Sequence, residues 1–388
     1  MCALANPVSN FSAQPTQSIE ADRGYVASSM PDLLSDTPPL SYFEFWPTGL
    51  FYFPMKLYGL YLAARYGGLT LPTITDPLFD VGGFHGESKA QIHTQIPESL
   101  NAQFANTLPL TKIEGEATEI TLKRALDLLA QHKLEYPIIV KPDVGMRGMG
   151  VQRVYAPEDI KQYIEKYPAG ETMIFQEMYD YPSEVGLFYI RKPSEAKGRI
   201  FSLTAKYFSY VVGDGQTPLK QLIEEHPRYG RIAHVYLPRH EDKWDMVLDE
   251  GEQFRIAFAG SHSRGTIFKD GNHLITPKME KAWDKLSKQI PEFYFGRFDV
   301  RFTNLEDLET LENIKIVEVN GAGAEATHVW DSKTKLFDAY KTLMRQYKYM
   351  FEIGAENKKR GFKPMKLKAL LKHMNKAENL ADLYPPTH

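Results

Sequence analysis

The chain has 388 residues, a formal net charge of −3, 43% hydrophobic and 24% charged residues, a globular composition with no nucleic-acid footprint in its charge. Its single cysteine, Cys2, excludes an internal disulfide framework, a cysteine metal site and a cysteine nucleophile, and fits a reducing, cytoplasmic setting. The opening MCALANPVSNFS lacks a basic start followed by an apolar run, so no secretory signal is expected.

Residues 1–40, rich in Ser, Pro, Ala, Asp and Gln, read as a poorly ordered tail. Residues 42–64, YFEFWPTGLFYFPMKLYGLYLAA, are unusually aromatic, and from Phe45 to Ala64 the only charge is Lys56. Three readings stay open: buried core or domain interface, contact with a membrane surface, or a spanning segment interrupted by Pro47 and Pro54. Helical spacing covers 120–132, with strands expected at 136–141 and 151–155 around a glycine loop at 145–150. A helix follows at 157–167, then strands at 172–177, 184–191, 201–212, 254–258, 298–302 and 314–319, with helices at 277–289 and 334–351. Strands and helices without strict alternation point to α+β lobes around a cleft. The basic stretch 358–374 is either a packed surface helix or an anionic-membrane contact.

Three clusters carry chemistry. In 137–150, PIIVKPDVGMRGMG, a strand delivers Lys141 into a glycine-rich turn whose backbone N–H groups can approach an anion. The spacing is neither a Walker A loop nor GxGxxG, and a structural hairpin explains it equally well. Glu177 ends one strand and Glu184 starts the next, where carboxylates accept from ribose hydroxyls or are simply exposed loop acids. In GRFDVR, 296–301, and IVEVNG, 316–321, alternation puts Arg297 with Asp299 and Glu318 with Asn320. Two antiparallel strands merge these into one polar patch of hard oxygen ligands suited to Mg²⁺, with an arginine beside it. The run Ser261, His262, Ser263 lacks a nucleophile elbow and does not make a hydrolase.

Taken in order, the strand lysine and glycine loop, the glutamate pair, then R-x-D and E-x-N resemble the ATP-grasp superfamily of carboxylate–amine ligases, which includes D-alanine–D-alanine ligase, glutathione synthetase and cyanophycin synthetase. The resemblance implies an α+β ATP-grasp fold, two α/β lobes clasping ATP over 108–352. A divergent aromatic-rich region, 41–107, precedes it and a basic tail, 353–388, follows. It further implies that Lys141 contacts the phosphates and that Arg147, Gly148 and Gly150 belong to a loop over them. Glu177 would sit at the adenine hinge and Glu184 at the ribose. Asp299, Glu318 and Asn320 would hold Mg²⁺, or alternatively Mn²⁺, and Arg297 would steady the acyl phosphate. Lys89, preceded by Ser88 where the family has Asp, matches an earlier ATP lysine. Val211 to Ile223 resembles the V-x-G-D-G turn and helix of the cyanophycin-synthetase branch. Upstream of it, Lys206 is a candidate phosphate contact, and Arg264 falls in the position of a substrate loop as a second catalytic arginine. His328 is either a substrate contact or structural. The implied activity is ATP-dependent joining of a small-molecule or peptide carboxylate to an amine. The alternatives are a phosphotransferase, or a non-catalytic nucleotide-binding protein at a membrane periphery.

Overall fold

The computed structural model describes residues 26–27, 29–33, 40–145, 148–257, 260 and 265–387. The prolines of the aromatic stretch start helices rather than break them. Pro47 caps α1 (Thr48–Phe51), and Pro54 lies in the first turn of α2 (Phe53–Tyr66), where a missing N–H costs no hydrogen bond. Gly67 ends α2 in the left-handed conformation. At 14 residues α2 is too short to span a bilayer, and among the described residues no helix is long and apolar enough to cross a membrane. The spanning reading of 42–64 is thereby corrected. Phe43, Phe51, Met55 and Leu62 are buried, while Leu50, Phe53, Leu57, Leu60 and Tyr61 face outward.

Helix α3 (Lys89–Thr94) is capped by the Ser88 hydroxyl, and β1 (Thr107–Thr111) follows. Then come α4 (Thr118–Gln131), β2 (Ile138–Pro142), β3 (Gln152–Val154), α5 (Pro157–Lys166) and β4 (Thr172–Glu177). Their strands form a small antiparallel sheet in the order β1-β4-β2-β3. Helical spacing sets Ala125 and Leu129 of α4 and Ile160 and Ile164 of α5 on the apolar stripes that cover one face of this sheet, against Val140 and Phe175.

The larger unit contains β5 (Ser183–Ile190), β6 (Arg199–Tyr207), β7 (Tyr210–Val212), α6 (Leu219–Glu225), α7 (Ala233–Tyr236), β8 (Gln253–Arg255) and β9 (Ile267–Asp270). It continues through α8 (Pro277–Ser287), β10 (Phe295–Phe302), α9 (Asp307–Thr310), β11 (Ile314–Asn320), α10 (Leu336–Lys359) and α11 (Leu367–Ala381). Its main sheet runs β11-β10-β5-β6-β9, antiparallel throughout. Antiparallel sheets with helices on their outer faces are the α+β class expected. The strand expected over 201–212 is two. After Tyr207 the chain leaves the sheet at Ser209, whose hydroxyl donates to Gly265 O at 2.7 Å, and β7 pairs with β8 in a separate ribbon. Within the stretch read as a tail, Ala27 and Met30 pack into the main core, and Tyr207 Oη donates to Pro31 O. At the other end, Tyr384 Oη donates to Val144 O and Thr387 Oγ1 to Gly148 O, so the C-terminus runs over the glycine loop.

A close backbone crossing is among the contacts that tie the N-terminal region to the large sheet. Gly82 and Gly83, both at φ +65°, meet the loop after β11: Ala322 N–H donates to Gly82 O at 3.1 Å and Gly323 N–H to Gly83 O. A Cβ on Gly83 would stand 2.6 Å from the Gly321 Cα. Gly83→Ala is therefore expected to cost about 2–3 kcal/mol in urea denaturation, from backbone strain plus overpacking. Gly49→Ala, where nothing lies within 4 Å of the added methyl, is the near-neutral control.

Candidate functional site

Period-two alternation builds the site. On β10, Phe298, Val300 and Phe302 enter the core against Trp283 of α8, which turns Arg297, Asp299 and Arg301 to the opposite face. On β5 and β6 the same alternation sends Val185, Leu187, Leu203 and Ala205 inward and brings Glu184 opposite Lys206. The registers Asp299 to Glu318 and Arg297 to Asn320 then merge the two strand motifs into one patch. The ladder slips between Asp299 and Val300, leaving Val317 as an extra residue on β11. Its carbonyl accepts from Lys141 Nζ at 3.3 Å and Gln176 Nε2 at 3.0 Å, and so fastens the small sheet to the large one.

The resulting cleft encloses about 620 Å³. Its centre is an ion network. Lys206 Nζ lies 2.8 Å from Glu184 and 3.0 Å from Asp299; Arg297 Nε lies 2.8 Å from Asp299, and Arg301 Nε 2.8 Å from Glu184. Lys89 Nζ donates to Gly145 O at 2.9 Å and lies 3.5 Å from Glu318. Around this network Lys89, Lys141, Lys206, Arg297 and Arg301 interleave with Glu184, Asp299 and Glu318, while Glu177 and Glu325 line the cleft further out. Burial opposes the charge on Asp299, but Arg297 and Lys206 overcome it and hold the carboxyl down at about 2. Burial likewise opposes Glu184, and Lys206 and Arg301 bring it below the ordinary range. Burial lowers Lys141 to about 8, with Glu318 pulling the other way.

One part of the cleft is more apolar, lined by Ile139, Met178, Tyr179 and Val317 together with Glu177 at the end of β4. The other end is aromatic. Phe45, Trp46, Tyr52, Phe84 and Trp330 line it, and the Glu325 carboxylate accepts from Tyr52 Oη and Trp330 Nε1. The loop holding Glu325 is fixed from behind by buried Gln346 of α10, which bonds Ala326 N and Ala324 O.

The structure therefore brings together Lys89, Lys141, Gly148, Glu177, Glu184, Arg297, Asp299, Glu318 and Asn320 along one cleft. Gly150, at φ +68°, packs against Pro142 and Tyr384 behind it. Lys206 lies beneath the floor, bonded to carboxylates. Glu184, read as a ribose acceptor, is held by its two cations. Arg147 and Arg264, with Ser261 to Ser263, lie outside the described residues. The turn at 213–217 does not line the cleft: Asp214 accepts from Gln216 N, Thr217 N and the Thr217 hydroxyl, a local turn of the β7–β8 ribbon. His328 is buried, its pKa lowered by that burial, and its Nδ1 has no hydrogen-bond partner among the described residues. Sequence reasoning missed Asp143, whose carboxylate takes the Ser88 hydroxyl and Ala90 N–H at 2.7 Å each and thereby sets Lys89 in place. It also missed Gln176, which accepts from Lys141 at 2.9 Å. Their only signals were their positions, two residues after Lys141 and one before Glu177.

For a metal, the donors are two carboxylates and an amide. Among the described residues no three His, Cys, Asp or Glu side chains converge as a metal cage. That set fits Mg²⁺, which keeps waters and takes phosphate oxygens rather than filling a protein cage. The Asn320 terminal amide supports the fit: its Nδ2 is buried with no partner among the described residues, and O and N of such an amide exchange by a flip.

No family model and no curated protein matches the chain. Among solved structures it is similar to a bifunctional glutathione synthetase from Pasteurella multocida, at 14% identity over 66% of this chain and 36% of that one, TM-score 0.33. It is similar to the VanG D-Ala:D-Ser ligase of Enterococcus faecalis, at 13% over 71% and 63%, TM-score 0.38. A third likeness is to the ATP-grasp ligase PsnB complexed with its minimal precursor, at 10% over 67% and 60%, TM-score 0.34. The chain spans about a third of the first and about three fifths of the other two. Identities and TM-scores this low transfer no activity, and the functional reading rests on the cleft.

The ion network sets a stability signature. Lys206→Met leaves two buried carboxylates short of a cation and is expected to cost about 3–5 kcal/mol. Both carboxyls are depressed in the folded protein, so this difference is full above the ordinary carboxyl range near about 4. It narrows as pH falls toward the folded values. Urea titrations of both proteins across that window read it directly.

Proposed function

We propose that the chain is an ATP-dependent ligase of the ATP-grasp kind. It would activate a carboxylate as an acyl phosphate and pass the acyl group to an amine, releasing ADP and phosphate. The observation that carries this reading is the convergence of Lys141, Glu177, Arg297, Asp299, Glu318 and Asn320, from two separate antiparallel sheets, on one cleft.

On this reading the base stacks in the apolar end, between Ile139 and Val317, against backbone at the end of β4. Lys141 and Lys89 face the phosphates, with Gly145 and Gly148, the latter at φ +70°, beside them. Asp299, Glu318 and Asn320 are the residues that would hold Mg²⁺, which would supply positive charge to offset that of the phosphates. Arg297 stands on the route from the phosphates to the aromatic end, its Nη1 donating to Glu325 O at 3.2 Å, where it can steady the negative acyl phosphate. The carboxylate and the amine occupy the aromatic end beside Glu325. The residues act by orientation and charge placement, and none of them needs to form a covalent bond.

The test is an ADP-release screen of the purified protein against pooled carboxylates and amines, with product masses read afterwards. A condensed product with ADP supports the ligase; a phosphorylated carboxylate that never condenses supports a phosphotransferase; no ADP from any pool overturns both. Glu318→Gln is expected to lower ADP release about a hundredfold or more while the melting curve stays put, because Glu318 is part-exposed and its fold contacts are few. Wild-type turnover in this variant removes Glu318 from the site. Nucleotide affinity should also fall as pH rises through about 8, where Lys141 loses its proton. The loss is expected to be about tenfold by one unit above that point. Lys141→Arg should flatten the profile, as isothermal titrations across the range would show.

A further inference from the structure

The outward face of α2 is apolar in a way that folding does not use. Phe53, Leu57, Leu60 and Tyr61 recur at i, i+4, i+7 and i+8, Leu50 extends the stripe from α1, and each is more than half exposed. The inward edge, Met55 and Leu62, already packs on the core, so α2 is apolar on both sides. From Phe45 to Thr75 there is no acidic residue; the charges are Lys56 and Arg65.

The fold then adds a basic rim from the far end of the chain. Lys358 Nζ donates to Gly67 O at 3.0 Å, at the C-cap of α2, and Met365 N–H donates to Thr73 Oγ1 at 2.9 Å. Between these two anchors run the exposed Lys359, Arg360 and Lys363, with Lys366 just beyond. The neighbouring acids are already engaged: Glu352 accepts from Tyr66 Oη and pairs with Lys192, and Glu292 pairs with Arg360. An apolar helix stripe beside a basic rim complements a surface that is oily below and anionic above.

We propose that α2 and the 358–366 turn dock this protein on an anionic lipid bilayer, with α2 lying in the plane of the interface. Its 14 residues are too few to span and sufficient to lie flat. Phe53, Leu57 and Leu60 enter the acyl boundary, Tyr61 sits at headgroup level, and the lysines meet lipid phosphates. The segment just before the stripe, Phe45, Trp46 and Tyr52, lines the aromatic end of the cleft, so docking holds that end near the bilayer. Nothing in this inference depends on ATP chemistry.

The experiment is co-sedimentation of the full chain with phosphatidylcholine vesicles, with and without phosphatidylglycerol. Binding is expected with phosphatidylglycerol, weakening as salt rises. Leu57→Glu/Tyr61→Glu should lower the partition about tenfold or more. Lys358→Gln/Lys363→Gln should lower it about tenfold. Both variants alter exposed side chains, and unchanged melting curves confirm that the fold is kept. The proposal is overturned by absence of binding to anionic vesicles, or by binding that Leu57→Glu/Tyr61→Glu leaves intact. It is also overturned if sedimentation equilibrium shows a dimer that this variant splits, which would make a second copy of the chain the occupant.

Discussion

The two larger sheets of this molecule meet at a peptide carbonyl that both use. Val317 is the residue that β11 carries in excess of β10, and the bulge turns its oxygen out of the ladder. Lys141 and Gln176, on neighbouring strands of the small sheet, both reach it. The residues following the bulge on β11, Glu318 and Asn320, are the cleft carboxylate and amide. An irregularity one residue long thus sets the distance between a lysine of one sheet and the acids of the other. Were the ladder regular, that carbonyl would be bonded within the sheet and Lys141 would have to find another buried acceptor or leave the interior.

Around this joint the protein tolerates a costly arrangement. Glu184, Lys206, Asp299 and Arg301 are nearly or wholly withdrawn from water, and Arg297 is partly so. Such clusters seldom add stability over apolar packing of the same volume. What they give here is a set of fixed dipoles and charges that need not reorganise when an anion arrives. The apolar side of the same strands bears the stability instead, through Phe298, Val300 and Phe302 on Trp283. Division of labour between the two faces of one sheet is the reason a polar site can be buried at all.

Where the sequence was readable, the reason was local periodicity. The strand at Thr172–Glu177 and the helices near 118–131 and 157–166 follow from it, as does the pairing of Arg297-x-Asp299 with Glu318-x-Asn320. Features that depend on distant partners were not readable. Nothing near Gly83 announces that its Cα passes against Gly321, or near Gly82 that its Cα passes against the Thr73 backbone. Nothing near Ser209 announces the Gly265 carbonyl that draws it off the sheet. Lys206 reads as a lysine on a strand; only the register opposite Glu184 reveals that its charge is spent inside the protein. The prolines of the aromatic stretch misled because their effect depends on position within a helix, and 47 and 54 both fall at helix starts.

The aromatic end of the cleft has a consequence for how the protein can be observed. The chain has four tryptophans. Trp46 and Trp330 line the cleft, Trp283 is sealed in the core, and Trp244 stacks under Lys220 in the region of the β7–β8 ribbon. Indole emission depends on the polarity and the quenchers around the ring, and Trp330 touches a carboxylate. The molecule therefore carries its own optical probe, split into a pair that senses what fills the cleft and a pair that does not.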